Sequence, residues 1–526
     1  MFPNEKMTVF TPKLIVQMNK ALIFILVLTF QFCFSQDVDS LYTKVDSIQV
    51  ATDSVVFPEY SNRIINDKAI SKSLYALDAI ENKQYKKLRI VHIGDSHIQA
   101  DIMTDYMRQN LQKKFGNAGL GFAFPYKMAK TNGSYLAKLT SDISFDSYRN
   151  IKAIDTLPVG LSGIAIYTDK KDFSIELNVK EDYKFNSIRI ITPNNQNSFF
   201  VANTFEVKNE IIQTEVPKEI PKKITGYTTR KINKTINHKI KKGEVLSIIA
   251  NKYDVSVSEI KKANHLKSDN INYGKTLKIP TIVTQRIPIE EPDTNDIASV
   301  EYEIVTKEVA TKKFLPLNQI SYPMSHDYYS QTAMDKIFII PNSDYTAFAL
   351  NGIILENDKP GVIYSSIGVN GAKCSDFNKY DMFFQQLTAL EPNLIVISFG
   401  TNESFDKLDN DVFIERLNQL IDNIRLFNYE AEILVTTPQP SQFGRKSKNY
   451  LVEQYSKSII DQAEIKNYAV WDMYNDLGGA KDVNTNYRNG LITSDKVHYT
   501  YKGYKKQADD FYEALMQTYQ FYKSAK

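Results

Sequence analysis

The 526-residue sequence has few cysteines, a single tryptophan and almost no excess of charge, and each shortage excludes a class of protein. Its 64 Lys and Arg against 61 Asp and Glu give a net charge of +3, too small to indicate nucleic-acid binding. Two cysteines are too few for a disulfide scaffold. With one Trp, any surface that stacks on carbohydrate would depend on the 32 Tyr and 29 Phe. The length is sufficient for two or three domains.

An apolar run near the N-terminus, from Ala21 to Phe34, is too short for a membrane span and is typical of a secretory signal peptide. We predict a signal peptide over 1–36 and a flexible leader over 37–57, with translation starting at Met1 or Met18. The alternative is a retained anchor. The prediction is an exported protein of the periplasm, cell envelope or extracellular space, with no stable membrane span after cleavage.

Signal cleavage would remove Cys33 and leave Cys374 alone, so no intramolecular disulfide could form. We interpret Cys374 as a small buried hydrophobic residue. His238, His265 and His326 do not show the spacing of metal ligands, so we predict no metal site and no cofactor.

Five short apolar runs alternate with amphipathic helical stretches in the two outer parts of the chain. They are "LRIVHIG", "GVIYSSIG", "NLIVISFG", "AEILVTTP" and "YAVWDM". This alternation predicts an α/β fold with a doubly wound parallel sheet, assembled from residues 58–140 and 352–526. In such a sheet the ligand lies at the carboxyl ends of the strands.

The middle of the chain instead alternates apolar and polar residues, as in "FSIELNVKEDYKFNSIRIITP" and "SVEYEIVTKEV". This pattern is typical of half-buried antiparallel strands and predicts an inserted β-sandwich or jelly-roll domain over 141–230 and 285–351. Two Pro-rich, charged stretches, "TEVPKEIPKKITGY" and "QRIPIEEPDTND", are predicted to be linkers on either side of a compact unit.

The compact unit, residues 236–280, resembles a LysM domain over its whole length, through "KKGEVLSIIANKY", "VSVSEIKKAN" and "INYGKTLKIP". The resemblance implies a βααβ fold that binds peptidoglycan or another glycan containing N-acetylglucosamine. The glycan groove that it implies is formed by Gly243, Glu244, Val245, Leu246, Asn270, Ile271 and Asn272. Many relatives have Thr or Ser where this chain has Val245.

The strand ends carry residue types suited to acyl transfer. Ser96 lies where the first strand turns into a helix, as a nucleophile or simply as a helix N-cap. A serine needs a base to take its proton, and a histidine held by a carboxylate can do so. His498 and Asp495 occur together before the last helix, and the Asn402 amide could stabilise an oxyanion.

Four blocks in order, "GDSH", "GVNGA", "GTNE" and "DKVH", resemble those of SGNH (GDSL-type) hydrolases. The resemblance implies Ser96 as nucleophile, Asp495 and His498 as its partners, and Gly371 with Asn402 as oxyanion donors. Gly368 or Asn370 could take the place of Gly371 in the second block. The GDSH variant is similar to peptidoglycan O-acetylesterases, some of which carry an inserted β-domain.

The sequence therefore predicts an exported serine esterase that removes O-acetyl groups from peptidoglycan glycan, with LysM holding it to the cell wall. An acetylesterase acting on another polysaccharide, or on a lipid or acyl ester, is the first alternative. A peptidoglycan-binding protein without activity is the second, and the intact Ser, Asn, Asp and His of the four blocks argue against it.

Overall fold

The computed structural model describes residues 62–84, 86–152, 159–217, 222–292 and 302–526. The predicted signal peptide and leader lie outside the described residues. In the part of the chain that is described, none of the helices combines the length and apolar character that crossing a membrane requires.

Within the described residues, five parallel strands form the predicted sheet. Its strands, in spatial order, are Gly361–Gly368, Lys87–Gly94, Leu394–Ser398, Glu432–Thr436 and Ala469–Trp471. The strand that comes first in the sequence therefore lies second in the sheet, and the order changes direction beside it. Such a switch point is where doubly wound sheets bind their ligands.

Both faces of the parallel sheet are covered, which explains why its strands are apolar throughout. Leu88 and Ile90 contribute to the core on one face, together with the helices Met103–Phe115 and Tyr501–Ser524. Val91 and Ile93 of the same strand contribute to the core on the other face, which includes the helix Asn410–Phe427.

The remaining α-helices in the described residues have 13 residues or fewer. They are Ser71–Glu81, Ser96–Gln99, Leu246–Tyr253, Val257–Ala263, Cys374–Phe377, Asp381–Leu387, Thr401–Phe405, Tyr450–Gln462, Met473–Asp476 and Gly479–Arg488. Cys374 is fully buried, as the sequence predicted.

The strands of the middle region are antiparallel, as their alternation predicted. One sheet contains Tyr302–Pro316, Phe199–Pro217, Lys336–Pro341, Ile175–Val179 and Ala137–Ser141 in spatial order. A second contains Gln319–Tyr322, Ser325–Met334, Phe185–Ile191, Gly352–Glu356 and Gly121–Ala123. A smaller third sheet contains Phe348–Leu350, Ile164–Thr168 and Asp146–Arg149.

The limits of the inserted domain, 141–230 and 285–351, remain predictions, but the second sheet extends past them. Gly121–Ala123 and Gly352–Glu356 lie outside those limits and pair with each other in that sheet. Its apolar residues also belong to the same core as one face of the parallel sheet. The insertion is therefore continuous with the core of the parallel sheet and is not packed as a separate body.

The Pro-rich stretches predicted to be linkers are paired strands wherever they are described. Lys222–Lys239 pairs along its length with Thr276–Pro292 and leads into the two helices of the compact unit. A two-stranded ribbon has two edges, so prolines such as Pro288 are tolerated where their missing N–H would face outwards. The compact unit has a small apolar core of its own, built around Ile249 and Ile260.

Candidate active site

The ends of three neighbouring strands bring the predicted catalytic loops together. Gly94 pairs with Gly368 on one side and with Ser398 on the other. The loops that carry Ser96 and Asn402 therefore leave the same edge of the sheet. Gly368 must be glycine, because a Cβ there would collide with the backbone of the helix that begins at Ser96.

A serine, a histidine and an aspartate form a continuous chain at this edge. Ser96 Oγ lies 3.4 Å from His498 Nε2, and His498 Nδ1 lies 2.7 Å from Asp495 Oδ2. The first contact is long for a hydrogen bond, as it often is in enzymes without substrate, where such contacts tighten on binding. The order is the one that general-base activation of a serine requires.

The turn around Asp495 holds its carboxylate in place. Asp495 Oδ1 accepts hydrogen bonds from Thr493 Oγ1 at 2.6 Å and from the amides of Val497 and His498 at 2.9 and 3.0 Å. Partial burial raises the pKa of this carboxyl, but these bonds and the one to the imidazole outweigh it and hold the pKa well below its usual range. Asp495 is therefore ionised at neutral pH. Thr493 was not predicted from the sequence.

Two backbone amides near Ser96 are available to an oxyanion. Within the described residues, neither the Ser96 N–H nor the Gly371 N–H donates a hydrogen bond. Gly371 is exposed, has a φ of +80° and has open space where a side chain would project, which suits close approach of a substrate. Asn370 is a poorer candidate because its N–H donates to Gln99 Oε1 at 2.6 Å, and Gly368 is buried in its strand.

The Asn402 amide is already engaged on both of its protons. Nδ2 donates to the Ala372 carbonyl at 2.9 Å and to Asp95 Oδ2 at 3.2 Å. It could stabilise an oxyanion only by sharing one of these protons. Burial raises the pKa of Asp95 to about 7, against the effect of the His97 amide that donates to it. Asp95 therefore braces the turn and orients Asn402, and the structure gives it no contact with Ser96 Oγ.

His97 is packed behind His498, a position that the sequence did not reveal. Its ring stacks on that of His498, with centroids 5.1 Å apart, and its Nδ1 lies 2.8 Å from Tyr504 OH. Burial lowers the pKa of His97 to about 3, so it stays neutral beside His498. His92 lies within the sheet, hydrogen-bonded to Tyr364 and Ser398, and is a packed histidine.

The LysM groove residues separate into exposed and buried ones. Gly243, Val245, Asn270 and Asn272 are exposed, but Leu246 is only 2% exposed and Ile271 packs against the core of the unit. The Leu246 side chain can support the predicted groove only from beneath, whereas the partly buried Ile271 keeps some of its side chain exposed.

Glu244 and Tyr273 change the expected chemistry of that groove. The Glu244 carboxylate is bonded to His238 Nε2 at 2.8 Å and to the Lys241 amide at 2.7 Å. It therefore has a structural role on one side of the groove. Tyr273, which is 73% exposed and follows Asn272, was not predicted, although an aromatic beside a glycan groove is a recognisable signal.

Comparison with protein families identifies two domains. Residues 347–506 match the GDSL-like Lipase/Acylhydrolase family, and residues 238–280 match the LysM domain family. The chain is 30% identical over 150 residues to the protein named "Probable N-acetylmuramoyl-L-alanine amidase AmiB" of Haemophilus influenzae, covering 23% of this chain and 34% of that protein. It is 51% identical over 41 residues to "Probable peptidoglycan endopeptidase LytE" of Bacillus subtilis, covering 8% and 12%. The chain thus spans about a third or less of these relatives.

A solved structure of a peptidoglycan O-acetylesterase shares the fold. The similarity has a TM-score of 0.51 at 18% identity and covers 87% of this chain and 98% of the other. The chain therefore has the GDSL-type parallel sheet with additional antiparallel sheets and a LysM domain.

Proposed function

We propose that this chain, which carries a GDSL-like acylhydrolase domain and a LysM domain, is an exported serine esterase that removes O-acetyl groups from peptidoglycan glycan. The observation that carries the proposal is the chain of contacts from Ser96 through His498 to Asp495, beside a free Gly371 N–H. These are the parts that ester hydrolysis needs: nucleophile, base, orienting carboxylate and oxyanion donor.

In the proposed reaction, Ser96 Oγ attacks the acetyl carbonyl while His498 Nε2 takes its proton. Asp495 stabilises the imidazolium that forms. The Ser96 and Gly371 N–H groups receive the oxyanion, and Asn402 Nδ2 shares one of its protons with it. His498 then gives the proton to the ester oxygen of the sugar as the bond from that oxygen to the acyl carbon breaks, and the sugar leaves with a free hydroxyl. Water activated by the same histidine releases acetate from the acetylated Ser96.

The substrate and the location are supported by the LysM domain and by the names of similar proteins. LysM domains bind glycans that contain N-acetylglucosamine, and both curated relatives are named for peptidoglycan-cleaving enzymes. The structure with the shared fold is described as a peptidoglycan O-acetylesterase. The proposed site of action is therefore the cell wall, reached by export.

Acetate release tests the activity. The full chain should release acetate from O-acetylated peptidoglycan faster than from acetylated xylan, and a small chromogenic acetate gives the intrinsic esterase rate. Ser96→Ala should lose several orders of magnitude in rate at an unchanged melting temperature. Ser524→Ala, at the exposed end of the last helix, is the matched control.

Each alternative has its own outcome in this assay. Preference for xylan would indicate an acetylesterase of another polysaccharide. A folded parent protein that releases no acetate from any of the substrates would indicate a binding protein without activity.

Removal of the LysM unit tests the anchoring role. Lys234 and Thr281 are partners in the ribbon, so replacing residues 235–280 by Asn-Gly should close it as a two-residue hairpin. We expect the variant to keep its activity on the small acetate and to bind less to insoluble peptidoglycan in a pull-down, because tethering raises the local enzyme concentration. Equal binding with and without the unit would show that LysM is not the anchor.

A further inference from the structure

A cavity of about 360 Å³ is formed by residues 124–139, in the segment that follows the first catalytic block. Its volume is in the range of small-molecule sites, which is about 300–1,000 Å³. Its lining residues fall between the strands Gly121–Ala123 and Ala137–Ser141 and at the start of the latter.

Hydrogen bonds attach the cavity wall to the catalytic loops. Gln99 Nε2, on the helix that begins at Ser96, donates to Thr131 Oγ1 at 2.9 Å and to the Asn132 carbonyl at 2.6 Å. Asn370 Nδ2, next to Gly371, donates to Asn132 Oδ1 at 2.7 Å. The cavity wall is therefore one side chain away from both the nucleophile helix and the oxyanion loop.

The same wall is anchored at its other end. Tyr135 OH donates to Asp105 Oδ2 at 2.9 Å, and Asp105 is paired with the buried Arg108 at 3.0 Å. A wall fixed at both ends can present its side chains to a ligand in a constant arrangement, which lowers the entropy lost on binding.

The side chains that line the cavity are suited to a sugar that carries negative charge. Tyr135 offers a ring that is 57% exposed, and Asn132 Nδ2 makes no hydrogen bond among the described residues. Lys127 and Lys138 also line the cavity, and its lining contains no Asp or Glu. Lys180 adds a third cation, with its Nζ 4.3 Å from the centre of the Tyr135 ring. An aromatic ring and an amide suit a pyranose, and the lysines suit a carboxylate.

We infer that this cavity binds a carboxylate-bearing hexosamine residue of the glycan beside the acetylated position. The inference rests on the proposed function, because it takes the reacting sugar to lie at Ser96. The cavity would set the preference for an anionic glycan, while the triad would hydrolyse any accessible acetate.

Kinetics with the full chain test the inference. The variant Lys127→Glu/Lys138→Glu is compared with Lys130→Glu, a charge reversal in the same segment that does not line the cavity. The measured quantity is kcat/KM for a soluble O-acetylated peptidoglycan fragment divided by kcat/KM for the small chromogenic acetate. The ratio should fall roughly tenfold or more in the double variant, the size expected for loss of a charge-assisted contact, and stay at the parental value in the control. An unchanged ratio, or an equal fall in the control, would overturn the inference.

A second measurement does not depend on turnover or on LysM. In a chain that carries Cys33→Ser, Ala137→Cys introduces a thiol into the cavity lining, and the remaining native Cys374 is buried and unreactive. Alkylation of the introduced thiol should be slowed at least fivefold by the disaccharide of N-acetylglucosamine and its lactyl ether that carries no O-acetyl group. The neutral N-acetylglucosamine disaccharide should not slow it. Equal protection by both, or by neither, would refute the carboxylate site even if the esterase activity is confirmed. Protection without turnover would support the site and reject the activity.

Discussion

Asp495→Asn separates the orienting role of this residue from its structural role. Asparagine keeps an oxygen that can accept from Thr493 Oγ1 and from the amides of Val497 and His498, so the turn should persist. The other oxygen, 2.7 Å from His498 Nδ1, is replaced by an NH2 group that donates. His498 Nδ1 must then accept, which places the ring proton on Nε2, facing Ser96 Oγ. That tautomer cannot take the serine proton.

The expected loss follows from that change of tautomer. In serine proteases the same substitution in the triad lowers kcat by about 10⁴-fold, and we expect a loss of roughly 10³–10⁴-fold here. This corresponds to about 4–5.5 kcal/mol in the activation free energy. The assay is kcat on the small chromogenic acetate, with the melting temperature as the fold control and Asp509→Asn, on the exposed face of the last helix, as the matched variant. A loss below tenfold at an unchanged melting temperature would refute Asp495 as the orienting carboxylate.

Two further predictions concern the oxyanion and the buried histidine. Asn402→Ala should lower kcat by roughly 100-fold with little change in KM, because the amide acts on the developing charge; an unchanged kcat would remove Asn402 from the oxyanion hole. His92→Asn should make stability less sensitive to acid. Burial lowers the pKa of His92 to about 3 in the folded protein, below its unfolded value of about 6.5. The stability that the neutral ring contributes is complete above about pH 6.5 and is lost as the pH falls towards 3, by about 1.4 kcal/mol per pH unit. Urea unfolding at about pH 7, 5.5 and 4.5 should show a shallower fall for the variant, and parallel curves would contradict the prediction.

The parallel sheet and the approximate position of the site were predictable because each depends on local patterns. A run such as Lys87–Gly94 is apolar because both of its faces are covered, and parallel strands end at one edge of the sheet. Residues that follow different strands, such as Ser96 and Asn402, must then come close together. No long-range contact had to be known for that prediction.

The ribbon and the contacts around the triad depend on partners that the sequence does not reveal. Lys222–Lys239 has the composition of a linker, and only its pairing with Thr276–Pro292 makes it a strand. His97 stacks on His498 because the last helix brings Tyr504 against it, which joins opposite ends of the chain. The amide protons of Asn402 are donated to Asp95 and Ala372, which are also distant from it in the sequence.

Recognition and anchoring depend on different apolar cores of the chain. Phe122 and Leu139, at the two ends of the segment that forms the cavity, belong to the same core as Val91 and Ile367 of the parallel sheet. The wall of the cavity at residues 124–139 is therefore held by the core that positions Ser96, and a packed core transmits small shifts. The LysM unit has its own core around Ile249, so mutations there should change attachment to the wall without altering the choice of ester. Substitutions in the core under the cavity, by contrast, should change kcat/KM for the glycan and for the small acetate together.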